Sequence, residues 1–193
     1  SLYYVDIAKA GLFRYDFNSN KIYSCNIAGE SFASFVIPIQ NTMDNFAVGS
    51  GRRVVKVQWD GKSDNCNVVE ELAEVQKDSP ISTLRLNDGA CDAEGRLFTG
   101  TLRYDRENMF NTTDAQFFKY NGRNNMVVVF DNICASNGLT WDYSREKFYY
   151  VDTCDRNIKE LIYNLQKGII SNCNISFFAD YLVIIHFVLM FIA

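Results

Sequence analysis

Proline is nearly absent from this 193-residue chain, with two in all, and histidine occurs once. Cysteine is present six times (25, 66, 91, 134, 154, 173), but never as Cys-x-x-Cys. With a single imidazole, His186, these thiols cannot complete a structural zinc site of the usual spacing. No basic stripe runs along the chain, and its net charge of −4 excludes nucleic acid as an expected partner. Charged residues are not scarce enough, nor apolar ones few enough, for disorder. The most apolar stretch, 181–193, falls short of the roughly 20 residues that a spanning helix needs, so membrane insertion is not expected. No leader pattern is visible at the start, where Leu2–Ile7 already reads as a strand. The cysteines show no pairing pattern and are read as small buried residues of an intracellular, cytoplasmic protein. Two glycosylation sequons, Asn111-Thr112-Thr113 and Asn174-Ile175-Ser176, matter only if the chain is secreted.

Aromatic residues, by contrast, make up 15% of the chain. Together with β-branched residues they favour pleated, half-buried strands. Short strand-like runs alternate with turn signals. Examples are Leu12–Asp16, Ile22–Asn26, Val54–Trp59, Leu97–Leu102, Gln116–Tyr120, Met126–Asp131, Phe148–Asp152 and Ile158–Tyr163. No helical period separates them, so the spacing predicts an all-β sandwich, barrel or propeller. Internal repetition chooses among these. Tyr3-Tyr4-Val5-Asp6 returns as Tyr149-Tyr150-Val151-Asp152, with Phe46-Ala47-Val48-Gly49 and Leu97-Phe98-Thr99-Gly100 at comparable points between them. A period of roughly 40–50 residues with about four strands in each is the signature of propeller blades.

The repeat is sharpest in its last two copies. Asn87, Asp92 and Phe98 recur fifty residues later as Asn137, Asp142 and Phe148. Innermost propeller strands surround a channel, so equivalent residues at their mouths converge. Two short carboxamides facing one another suit a hard cation, which prefers oxygen ligands. The plain alternative is that each asparagine is a turn residue bonding its own backbone, the common use of Asn beside Gly.

These segments also resemble a known family. Arg85-Leu86-Asn87-Asp88-Gly89 with Asp92–Thr101, and Ser136–Asp142 with Phe148–Asp152, are similar to regucalcin (senescence marker protein) and gluconolactonase. Leu2–Ile7 and Val54–Gly61 share the likeness, which runs from Ser1 to about Asn172 and is closest to insect members. The resemblance implies a six-bladed β-propeller, here incomplete with three to four blades over residues 1–172, followed by a divergent apolar tail at 173–193. It implies hydrolysis of sugar lactones around one divalent cation, with calcium expected and zinc or manganese as alternatives. It makes Asn137 a direct metal ligand and Asn87 a ligand through water or a substrate contact. Arg85 becomes a substrate-binding residue, and Asp105 a weaker match to an acidic substrate-binding position.

The same repeat locates what is missing. The family's Glu ligand falls upstream of Ser1, and its Asp ligand and general base falls at Phe187, inside the apolar tail. Read-through or a gene-model error is the expected origin of that tail, and His186 is not expected to replace a ligand. Two neutral amides alone lack the charge that gives a divalent site its affinity, so this chain is expected to be inactive. Open blades expose strand edges and apolar faces, so it is also expected to self-associate. Three functions stay open: a metal-dependent lactonase, a non-enzymatic calcium-binding regulator using the same ligands, and an interaction propeller in which Arg85, Asn87 and Asn137 are incidental.

Overall fold

Aspartate-capped turns set the rhythm of the chain. The computed structural model describes residues 1–122 and 125–178, the last seven (172–178) as backbone only. Asp6, Asp142 and Asp152 each cap a short 3-10 turn, at Ile7–Lys9, Tyr143–Arg145 and Thr153–Asp155. Each turn closes on a left-handed residue, Ala10, Glu146 or Arg156, a conformation that costs a residue bearing a Cβ. The carboxylate offsets this cost by accepting a backbone N–H that would otherwise be unpaired, and the chain folds back as a hairpin.

Fifteen strands result among the described residues, in four consecutive groups. β1 (Leu2–Asp6), β2 (Gly11–Asp16) and β3 (Lys21–Ile27) form the first. The second comprises β4 (Val36–Pro38), β5 (Asn45–Ser50), β6 (Arg53–Gln58) and β7 (Asn65–Glu74). β8 (Leu84–Cys91), β9 (Leu97–Arg103), β10 (Ala115–Tyr120) and β11 (Met126–Ile133) make the third. The fourth is β12 (Ser136–Asp142), β13 (Lys147–Asp152), β14 (Asn157–Asn164) and β15 (Ile169–Phe178). Within each group neighbouring strands pair in sequence order. The first two groups join through a short parallel pairing of β3 with β7, Asn26 opposite Asn65 and Ile27 opposite Cys66. These are the expected blades. Among the described residues no helix is long and apolar enough to cross a membrane. Phe187, His186 and the rest of the apolar tail from 179 lie outside the described residues.

The chain divides into two compact units, Ser1–Leu86 with Asn121–Met126, and Asn87–Tyr120 with Val127–Ala193. The first is packed around Leu12, Ile27, Phe46, Val48, Val55, Val57 and Trp59, with Tyr3 against them. Trp59 is buried with its indole nitrogen donating to Ser63 O at 2.8 Å, so its one polar group stays satisfied. The second is aromatic. Phe98, Phe117, Phe148, Tyr150 and Tyr163 form its core, with ring centroids as close as 4.8 Å between Phe117 and Tyr150. Burying each such side chain contributes roughly 1.5–3 kcal/mol.

Four of the six cysteines are paired, contrary to the expectation of unpaired buried thiols. Cys25 is bonded to Cys66, and Cys134 to Cys154; among the described side chains Cys91 is the free thiol. Cys25 and Cys66 lie on the outer strands of two different blades, 41 residues apart. Only the β3–β7 pairing brings them together, which is why spacing along the sequence did not reveal them. The intracellular reading rested on free thiols, and two disulfides remove that support.

Candidate metal and substrate site

Both asparagines sit in strands, Asn87 in β8 and Asn137 in β12, so neither is the turn residue that Asn beside Gly suggests. In β12 the glycine serves a bulge instead. Asn137 pairs with Val151 and Leu139 with Tyr150, leaving Gly138 as an extra residue between them with φ at +37°. A bulge of this kind re-aims the neighbouring side chain, and here the neighbour is Asn137.

The two carboxamides meet. Asn87 is 8% exposed; its Nδ2 donates to Asn137 Oδ1 at 3.1 Å and to Ser136 O at 2.8 Å. Asn137 Nδ2 in turn donates to Thr153 Oγ1 at 3.0 Å. Two oxygens of β12 therefore accept from the one Asn87 amide nitrogen, and the orientation of Asn137 is set from both ends of its amide. Asp88, unremarked by the sequence reasoning beyond its place in the Arg85–Gly89 segment, stitches the same seam. Its carboxylate accepts the Gly89 N–H at 2.8 Å and the N–H of the bulge residue Gly138. Burial pushes its carboxyl above the usual carboxylate range, opposed by those two donors. Thr99 donates its hydroxyl to Asp88 O at 2.8 Å, tying β9 to the same point.

A knot beneath Asn137 holds β12 to β13. Asp152 is 3% exposed, and its carboxylate accepts the N–H groups of Cys134, Ala135 and Cys154 at 3.0, 3.0 and 3.3 Å. Among the described residues the one group of metal-capable acid, thiol and imidazole side chains is Cys134, Asp152 and Cys154. Its sulfurs are joined and its carboxylate is committed to backbone donors, so it is a structural clasp.

The other predicted residues are placed as follows. Asp105 closes the loop after β9. Arg103 Nε donates to it at 2.9 Å, Asn108 N at 3.1 Å and Asn108 Nδ2 at 2.6 Å, while Arg103 Nη1 reaches Asp114 at 3.0 Å. Arg85 belongs to the first unit, where its guanidinium lies 5.7 Å from the Phe32 ring centroid and donates to Leu86 O at 2.8 Å. Asn87, Asn137 and Asp105 belong to the second.

For a hard divalent cation the donors in hand fit in kind, being amide and carbonyl oxygens, and fall short in charge, both asparagines being neutral. Residues 1–180 match the family model described as SMP-30/Gluconolactonase/LRE-like region. The chain belongs to that family. It is 30% identical to regucalcin of Danio rerio over 172 residues, covering 89% of this chain and 54% of that protein. Regucalcin of Xenopus laevis is 27% identical over 173 residues, with coverage of 89% and 54%. Among solved structures, a luciferin-regenerating enzyme superposes with a TM-score of 0.82 at 28% identity, covering 91% of this chain and 56% of that one. A calcium-binding protein, regucalcin from Agrobacterium tumefaciens, gives 0.71 at 16% identity, covering 90% and 54%. As a member of the SMP-30/gluconolactonase/LRE-like family the chain has the β-propeller fold, and its blades make an incomplete propeller spanning about half the length of the relatives it matches.

Proposed function

We propose that the protein carrying this chain is a divalent-metal-dependent sugar lactonase. The observation that carries the proposal is the contact between Asn87 and Asn137 at 3.1 Å: two repeat-equivalent carboxamides, held rigidly, within a segment that matches a gluconolactonase-containing family. Asn137 Oδ1 would hold the cation, calcium first and zinc or manganese as alternatives, with Asn87 beside it, binding through water or contacting substrate. A bound cation supplies Lewis acidity toward the lactone carbonyl and its developing oxyanion. The clasp at Asp152 keeps Asn137 from turning away. Preorganisation of this kind lowers the cost of assembling the site around its ligand.

The test is gluconolactone hydrolysis by the natural protein, stripped of metal and then titrated with calcium, zinc or manganese. The expected result is metal-dependent turnover that Asn137→Ala reduces by about 100-fold, in the range set for lost electrostatic stabilisation. Turnover that ignores both chelation and Asn137→Ala would sink the proposal. A second reading, a calcium-binding regulator without turnover, is supported by the regucalcin relatives. It predicts a calcium-induced rise in melting temperature, lost in Asn137→Ala, with no hydrolysis under any metal.

A further inference from the structure

The sequon Asn111-Thr112-Thr113 plays no part in the lactonase reading, and its surroundings are those of a modification site. It falls at the end of the turn in the loop after β9, residues 106–111, and both Asn111 and Thr113 are exposed. The loop is clipped at its base by Arg103, which binds Asp105 at 2.9 Å and Asp114 at 3.0 Å. Its inner side is seated by Met109 and Tyr104 against the cluster of Leu102, Cys134 and Ala135. Asn111 Nδ2 makes one hydrogen bond, to Glu107 O at 2.9 Å. A glycosylated amide nitrogen keeps one N–H, so Asn111 remains a donor after the modification.

The second observation is independent of the motif. Cys25–Cys66 and Cys134–Cys154 are both disulfides, and Cys25, Cys66 and Cys134 are buried. Such bridges persist in oxidising compartments and are rare where glutathione and thioredoxin keep thiols reduced. The compartment that forms them in a eukaryotic cell is also the one that glycosylates sequons.

We infer that the protein matures in the secretory pathway and carries an N-linked oligosaccharide on Asn111. In the transfer step Asn111 Nδ2 forms a bond to the anomeric carbon of a sugar carried on a polyprenyl diphosphate. The bond from that carbon to the diphosphate oxygen breaks, the lipid diphosphate leaves with the electron pair, and Nδ2 gives up one proton. Each bridge forms by loss of two protons and two electrons from a thiol pair to a protein dithiol–disulfide oxidant. The second sequon, Asn174-Ile175-Ser176, runs within strand β15 with Asn174 in register with Glu160, and it is left out of the proposal.

The experiment is peptide mapping of the protein from its native source, without reductant, after treatment with peptide N-glycosidase in heavy-oxygen water. The expected result is labelled aspartate at position 111 and linked peptides joining Cys25 to Cys66. Unmodified Asn111, or four cysteines that alkylate without reduction, overturns the inference. In a second arm the chain is expressed in insect cells behind a cleavable secretion leader, and glycosidase-sensitive gel shifts are read in whole lysate. Addition of the sugar precedes folding, so this readout does not depend on a stable product. Asn111→Gln and Thr113→Ala should abolish the shift and Thr113→Ser should keep it. A wild-type chain without the shift, or an Asn111→Gln chain that retains it in full, overturns the assignment to Asn111.

Discussion

At the scale of single residues, the two asparagines and Cys91 illustrate how little exposure is needed to change a side chain's chemistry. Asn87 and Asn137 are short, and their reach is limited to what the backbone presents; the bulge at Gly138 brings one amide to the other. Cys91 ends β8. Burial and then the charge of Asp92 push its thiol up to about 11, well above the ordinary cysteine value. A raised value leaves the reactive thiolate scarce at neutral pH. Alkylation of Cys91 by iodoacetamide, followed at the peptide level without reductant, is therefore expected to be slow at pH 8 and to keep accelerating up to about pH 11. A rate at pH 8 equal to that of free cysteine would contradict the burial argument.

At the scale of elements, glycine and aspartate share one position of the repeat and use it differently. Where Asp6 and Asp152 stand, the side chain caps a turn. Where Gly49 and Gly100 stand, the missing side chain admits a neighbour. A Cβ on Gly49 would lie 2.5 Å from Phe35, and one on Gly100 would lie 2.1 Å from Ser136 Oγ and 2.4 Å from Ser136 Cβ. Ser136 precedes Asn137, so Gly100→Ala is expected to push the whole start of β12. Overpacking of this kind costs about 1–3 kcal/mol, measured as a lower urea midpoint; an unchanged midpoint would mean that β12 yields freely.

The turn aspartates also set an acid limit. Asp142 is held low by the Ser144 hydroxyl and the Arg145 N–H, Asp60 by the N–H groups of Ser63 and Lys62, and Asp16 by the Asn18 N–H. Each has a lower value folded than unfolded. The stability they contribute is thus present above the ordinary carboxylate range and is lost as pH falls through the folded values. Melting temperature is expected to fall from about pH 5 toward pH 2, and Asp60→Asn with Asp142→Asn should flatten that fall. A double variant with the wild-type acid profile would assign the effect elsewhere.

At the scale of the whole molecule, two units each have their own core and their own disulfide. The first unit's bridge ties β3 to β7, beside a parallel pairing of two residue pairs. Closing a loop of this size typically stabilises by about 2–4 kcal/mol. Cys25→Ser is expected to lose that amount in denaturant titration, and in dithiothreitol, which opens both bridges, wild type and variant should share one midpoint. Equal wild-type midpoints with and without reductant would show that the bridges add nothing to the packing already holding the blades. Polar clasps do comparable duty in the second unit. Asp92 is 5% exposed and accepts from Arg96 Nε at 2.7 Å and from the Tyr163 hydroxyl, which joins the third blade to the fourth.

Much of this architecture was legible in the residues themselves. Alternating apolar residues marked β2, β3, β6, β9, β10, β11, β13 and β14, and the repeat identified blades and placed Asn87 and Asn137 at equivalent points. Local chemistry suffices there, since strand pattern, turn residue and period are properties of neighbours in sequence. β8 and β12 were harder, because Asn-Asp-Gly and Asn-Gly are turn signals in isolation; in β12 the glycine becomes a strand residue because the pairing with β13 absorbs it as a bulge. The disulfides were invisible for a related reason: Cys25 and Cys66 are brought together by pairing between blades. That Asn87 donates to Asn137, that Asp88 binds across to Gly138, and that Asp105 is committed to its own loop were decided by tertiary structure alone. Hydrogen-bond partners depend on distances of a few tenths of an ångström between strands far apart in the chain, and no pattern of residue types carries that information.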